Sequence, residues 1–395
     1  MSFNIALYRI FIYDSVLQNS VHMALQRKPY LVIPKLIEQP TWGGDYILSA
    51  KAWKHIAFLR RKKIGQSYEL FSGSKLHLTA TDTNNPAFIP EIGFADKLDI
   101  LKEFFPQKEG VHYVSILEGG PMPLLNKFTQ AAGNSFQLHI QPETADQYWR
   151  AKPESWYYFE KGYLTLGLRS GCDVTEYKEV SLKINSHMEE LSRKIKASEL
   201  SLEAGEQDAA VFIKEKNPWR FVNRYEVAPD TLIDLSMGGV HHSWEENKEK
   251  FPLGNVLYEV QIDTMDPVST IRSFDQGKIK KDGSIRSLNI DDYFKHLDTD
   301  PSHNVYEYFE KKAHGSSLLK TKYYSLDTIT VSSPFNDTTT NSFSHLFVRT
   351  GAVRVQAAEG EVTVGEGHSC YIPKDSGDYT VTSQKPNSVI LKTYT

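Results

Sequence analysis

From Tyr323 to the C-terminus the chain is a succession of short β-prone runs: SLDTITVSS, SHLFVRTGAVRVQ, EVTVGEGHSCYIP, DYTVTS and SVILKTY. Several short strands with regular turn signals predict a sandwich or barrel. The same texture occurs upstream. Residues 123–142 (PLLNKFTQAAGNSFQLHIQP) predict a strand, a turn at Ala132-Gly133-Asn134 and a second strand. Residues 154–168 (ESWYYFEKGYLTLGL) set aromatic runs on either side of a Glu-Lys-Gly turn, a strongly β-prone composition. Residues 225–240 suit short strands joined by a Pro-Asp turn, and 255–275 suit two more. Trp42-Gly43-Gly44 reads as a turn between strands.

Two stretches break this pattern. Over 175–203, Ile184, Met188, Leu191 and Ile195 recur at the spacing of one helix face, with Glu and Lys between them. Ser198, Ser201 and Glu203-Ala204-Gly205 then predict a short second helix or turn. Residues 91–105 carry Phe94, Leu98, Leu101 and Phe105 on one helical face. The β pattern resumes at Phe221, and the polar stretch 287–319 reads as a connector. The expected architecture is mainly β. A β-rich unit spans 24–290 with a helical insertion at about 175–218, and a second β unit spans 315–395.

A chain of 395 residues has room for two or three domains. Its formal net charge of −4, with basic residues scattered, excludes a whole-chain signature of nucleic-acid binding. Two cysteines, Cys172 and Cys370, offer neither a disulfide framework nor a paired zinc motif and fit a cytoplasmic location. No apolar run is long enough to predict a membrane span. The N-terminal apolar run is broken by Arg9 and Asp14 and does not read as a secretory signal. Met23 is an alternative start.

Three segments offer metal-type ligands. In a strand, Gln137 and His139 point to one side and Leu138 to the other. Glu154 opens an otherwise aromatic strand, and a buried carboxylate needs a partner or a metal. His241 follows paired glycines that permit close backbone approach, and His242 would face the opposite way. Taken singly, each has a plainer reading: a polar exposed face, a solvated strand end, an ordinary core or loop histidine. Brought together from separate strands, Gln, His, Glu and His could surround one divalent ion and leave a position open.

These segments, with their neighbours, resemble the type I mannose-6-phosphate isomerases. Ser135-Phe136-Gln137-Leu138-His139 resembles the family's S-x-Q-x-H segment, and Lys152-Pro153-Glu154-Ser155-Trp156-Tyr157 its K-x-E-x-W-Y segment. Ala228-Pro229-Asp230 through His241 resembles a third stretch. Tyr258-Glu259-Val260-Gln261, followed by Thr270-Ile271-Arg272-Ser273-Phe274-Asp275, resembles "EIQ…TYRxyD". Trp42-Gly43-Gly44, Gly65-Gln66-Ser67-Tyr68-Glu69 and Pro123-Leu124-Leu125-Asn126-Lys127 match earlier segments in order, from about residue 34 to 290. The chain departs at Ile140-Gln141, which separate His139 from Pro142, at Gly238-Gly239, and at Ile271, where the family carries an aromatic residue.

The resemblance implies a double cupin, two barrel or jelly-roll domains. It implies one zinc ion, or another divalent metal, held by Gln137, His139, Glu154 and His241 (with His242 the neighbouring alternative), and a catalytic Arg272. The implied reaction interconverts mannose 6-phosphate and fructose 6-phosphate through an enediol. Candidates for the general base are metal-bound water, Glu259, Asp275 and Lys152. Candidates for holding the sugar phosphate are Lys127, Ser135, Lys152 and Arg286. The expected partner is a small sugar phosphate, with no nucleic acid or membrane, on a monomer or weak homo-oligomer. The competing readings are a metal-cupin dioxygenase and a non-catalytic sugar-binding or regulatory cupin.

Overall fold

A computed structural model describes residues 25–94, 113–133, 135–264 and 266–395. Met23 and most of the helix expected over 91–105 lie outside these residues. The described part of that stretch, Glu91–Phe94, is a strand, running parallel to Lys35–Glu38. Four residues are too few for helical period to decide their state. The open edge beside Lys35–Glu38 supplies backbone partners, and pairing with it wins over the apolar spacing.

Two sheets form the first barrel. One has five strands, in the order Val222–Val227, Gly162–Leu168, Gly239–Trp244, Phe136–His139 and Ile271–Phe274. The other has eight, with Glu154–Tyr158, Asn255–Ile262, Leu124–Ala131 and Ile64–Leu70 as its central run. The strands on either side of the 132–135 connection belong to different sheets, as do those flanking the Glu-Lys-Gly turn. Each short connection therefore carries the chain across the barrel rather than closing a hairpin.

Alternation decides what lies between the sheets. Phe136 and Leu138 face outward into a helical layer, with Val240, Ile271 and Phe274. Gln137 and His139 are left facing inward. On the opposite sheet, cross-strand register aligns Glu154 with Gln261, and Glu259 with both Trp156 and Lys127. Directly opposed residues share a face, so all five line the interior.

The helical layer is Val174–Lys196 packed with Leu202–Lys216. Val180, Ile184, Met188 and Leu191 bury one face of the first helix against the five-stranded sheet. Its start is capped by Asp173, whose carboxylate accepts the Glu176 N–H at 3.0 Å. The second helix runs 15 residues, longer than the short helix or turn expected, and ends at Asn217 in the left-handed conformation. The polar 287–319 stretch is more than a connector, for it includes the helix Ile290–His296 and the strand Ser317–Lys320.

The second barrel sets an eight-stranded sheet against the four strands Phe335–Thr338, Asp378–Ser383, Ala352–Ala357 and Gly360–Gly365. Its larger sheet takes in Tyr30–Ile33, which pairs with Ser369–Ile372. The two barrels meet through the outer face of the central run. Phe347, on Ser344–Thr350, packs its ring 4.9 Å from Tyr258, 5.4 Å from Phe128 and 6.0 Å from Phe159. The observed class is mainly β, two barrels with a helical layer, as the sequence leads one to expect.

Candidate metal centre

Inside the first barrel, His139 and His241 come from neighbouring strands of the five-stranded sheet, and Glu154 from the sheet opposite. One ligand-type atom from each lies within 4.8 Å of the other two, and all three residues are buried. The close pairing has a backbone cause. Gly238 adopts φ +74°, and a Cβ there would stand 2.7 Å from the His139 carbonyl oxygen. Only glycine lets the strand entering His241 come this near.

The hydrogen bonds fix how each ring points. His139 Nδ1 lies 2.7 Å from the Ser269 carbonyl oxygen, and His241 Nδ1 lies 3.1 Å from the Gly239 carbonyl oxygen. A carbonyl only accepts, so each Nδ1 carries the proton and each Nε2 presents a lone pair. Those lone pairs meet a carboxylate: Nε2 of His139 is 3.2 Å from Glu154 Oε2, and Nε2 of His241 is 3.7 Å from Oε1. Neither Nε2 has a hydrogen-bond partner. Burial, then the His139 ring, pushes His241 down to about 3; burial and the Lys152 ammonium lower His139 as well. Both rings are neutral at pH 7. Burial alone would raise Glu154, but the Lys152 ammonium at 3.0 Å outweighs it and holds the carboxyl below its ordinary range.

Two neutral imidazoles and a carboxylate thus aim acceptors at one another in a buried interior. Unsatisfied buried acceptors facing each other are unfavourable. A divalent cation would satisfy all three, and this nitrogen and oxygen donor set fits zinc. Both Nδ1–H groups already have the backbone partners that orient metal-bound histidines. Gln137 is buried two residues before His139 on the same face, opposite Arg272 in register.

Around this core stand cations. Lys127 Nζ donates to Glu259 Oε1 at 2.9 Å and to Gln261 Oε1 at 2.7 Å. Burial raises the Glu259 pKa against the pull of Lys127, and its Oε2 is buried without a hydrogen-bond partner. Arg272 donates from Nη2 to Asp266 Oδ2 at 2.8 Å and from Nε to the Ser135 hydroxyl at 3.2 Å. Asp275 and Arg286 are placed otherwise. They pair with each other at 3.2 Å beside a small cleft that Ile184 and Met188 of the long helix also line. A larger cavity of about 560 Å³, lined by Gln141, Lys295, His296 and Asp298 among others, contains none of the proposed ligands.

Sequence reasoning passed over Gln261 and Asp266. Gln261 had a signal, since it shares a strand face with Glu259. Asp266 had none, because it lies in the short 3-10 turn Asp266–Val268, whose approach to Arg272 only the fold sets.

Fold and centre define a class: a mainly β, two-barrel protein with a buried His–Glu–His constellation of metal-ligand type. No family model matches the sequence, and no curated protein matches it. Solved structures do. The chain is similar to the mannose 6-phosphate isomerase of Bacillus subtilis, at 13% identity over 93% of this chain and 99% of that one, with a TM-score of 0.57. It is similar to a zinc-bound mannose 6-phosphate isomerase, at 12% identity over 93% and 99%, with a TM-score of 0.60. An arginine-to-alanine mutant of phosphomannose isomerase from Salmonella typhimurium gives 12% identity over 93% and 99%, with a TM-score of 0.61. At these identities what is shared is the fold.

Proposed function

We propose that this chain is a metal-dependent aldose–ketose isomerase interconverting mannose 6-phosphate and fructose 6-phosphate. One observation carries the reading. In a fold shared with mannose 6-phosphate isomerases, two buried imidazole Nε2 atoms without hydrogen-bond partners face the Glu154 carboxylate, with Lys152 beside them.

Gln137, His139, Glu154 and His241 would hold one divalent ion, which when bound supplies Lewis-acid stabilisation to the oxyanion that grows as a proton leaves carbon. The rest falls to side chains. In the aldose-to-ketose direction the C2 proton leaves and a proton is returned to C1, while the O2 hydroxyl proton passes to O1. We assign the carbon-to-carbon transfer to Glu259. Burial raises its pKa, the direction that suits a carboxyl that must both accept and return a proton. Arg272 keeps its charge throughout and donates toward the developing enediolate, its side chain steadied by Asp266 and Ser135. Lys127 and Lys152, both buried, suit an anionic substrate. The Asp275–Arg286 pair we place outside the proton transfer.

We assign the chemistry to the 24–290 unit, with the 315–395 unit supporting it. Both cysteines are free, which supports a cytoplasmic enzyme, and we read it as a monomer or weak homo-oligomer. No helix among the described residues is long and apolar enough to cross a membrane.

The test is a coupled assay for fructose 6-phosphate formed from mannose 6-phosphate, run in deuterium oxide. Turnover with solvent deuterium entering at C1 supports a proton-transfer isomerase. Binding of the sugar phosphate with no turnover at full metal occupancy would instead indicate a regulatory cupin.

A further inference from the structure

His345 is the second residue of the strand Ser344–Thr350 of the second barrel and points into the junction with the first. It is wholly buried. Its Nε2 lies 3.1 Å from the Glu69 carbonyl oxygen, so that nitrogen carries the proton. Nδ1 is then an acceptor, and two donors converge on it: Asn126 Nδ2 at 3.2 Å and the Tyr258 hydroxyl at 3.2 Å. Burial pushes the ring down to about 3, so it stays neutral and keeps that lone pair.

The two donors stand on adjacent central strands of the first barrel. Lys127 follows Asn126, Glu259 follows Tyr258, and Lys127 and Glu259 are paired in register. Successive residues face opposite sides of a sheet. Asn126 and Tyr258 therefore face the second barrel, while Lys127 and Glu259 face the interior and join at 2.9 Å. One imidazole pins both strands directly behind that ion pair.

We infer that His345 is a positioning residue for the isomerisation, fixing the Lys127–Glu259 pair through Asn126 and Tyr258. The inference rests on the function proposed above. It also explains why a second barrel bearing none of the proposed ligands packs against this sheet: it supplies the clamp.

Two variants separate the ring's two contacts. In His345→Asn, a carbonyl oxygen stands near the place of Nδ1 and keeps an acceptor for Asn126 and Tyr258. In His345→Gln, the longer side chain reaches the place of Nε2, keeps the donor to Glu69 and loses that acceptor. Displacing catalytic groups by a fraction of an ångström lowers turnover, so kcat should fall about tenfold in His345→Gln and recover to within about twofold of wild type in His345→Asn. Metal content stays at wild-type level in both. Crystal structures of the two variants read the positioning without the assay: the Lys127–Glu259 contact should open in His345→Gln and persist in His345→Asn. Equal kcat in the two variants, or an intact contact in His345→Gln, overturns the inference. A wild-type protein with bound metal and no turnover would sink the functional reading instead, and the crystal structures would then decide the positioning by themselves.

Discussion

At the scale of single residues, the candidate ligands and Arg272 have separable roles. His139 offers a buried lone pair that faces the Glu154 carboxylate without a hydrogen-bond partner, so His139→Ala should lose both the metal and the activity. Elemental analysis of the purified variant checks this; metal retained at wild-type level would mean the ligand set is wrong. The Arg272 guanidinium is held by Asp266, Ser135 and Thr270, which are not among the candidate ligands. Arg272→Ala should therefore keep its metal and lower kcat by roughly 10²–10³, the loss expected on deleting a donor to a developing oxyanion. The shared face of Gln137 and His139 was legible because strand alternation is local and holds wherever their strand lies. The partners of Lys127 and Arg272 were not, because they depend on cross-strand register and on a short turn. A single sequence encodes neither openly.

At the scale of elements, the helical layer does structural work that the sequence announced by its period. Leu191 is buried against the outer face of the five-stranded sheet, and Leu191→Ala should destabilise the protein by about 2–5 kcal/mol. Asp173→Ala, removing the cap of the same helix, should cost about 1 kcal/mol. Urea unfolding measures both, and a Leu191→Ala loss below that of Asp173→Ala would contradict the packing described. Period was decisive for Val174–Lys196 because many turns repeat it. It failed over Glu91–Phe94, where a few apolar residues satisfied helix and strand alike and an edge pairing settled the matter. It also understated Leu202–Lys216, a helix whose buried face is made of the small Gly205 and Ala209 with Ile213, too faint an apolar stripe to extend the expected turn.

At the scale of the whole molecule, a polar seam joins the barrels. Lys51 and Glu69 form a fully buried pair at 2.7 Å, and Glu69 also takes hydrogen bonds from Ser67 at 2.5 Å and from Ser369, across the junction, at 3.0 Å. Glu69→Gln would strand the Lys51 charge and should cost about 3–5 kcal/mol. The seam also makes stability depend on pH. His345 titrates near 3 in the folded protein against an ordinary value of 6.5, so the unfolded chain binds the extra proton. Its contribution is full above pH 6.5 and is lost as pH falls toward 3, about 2 kcal/mol between pH 7 and pH 5. His368, lowered by burial and by Lys51, adds loss in the same direction. Unfolding midpoints that hold constant from pH 7 to pH 5 would contradict this. The two-barrel plan was legible from strand spacing, whereas the junction was not, because its polar residues become neighbours only when both sheets have formed. The most direct test of the whole account is a zinc titration of chelated protein with turnover of mannose 6-phosphate followed at each step. The account predicts no turnover at the start and a rise that saturates at one zinc per chain. Turnover that survives chelation, or none at one bound zinc per chain, would contradict it.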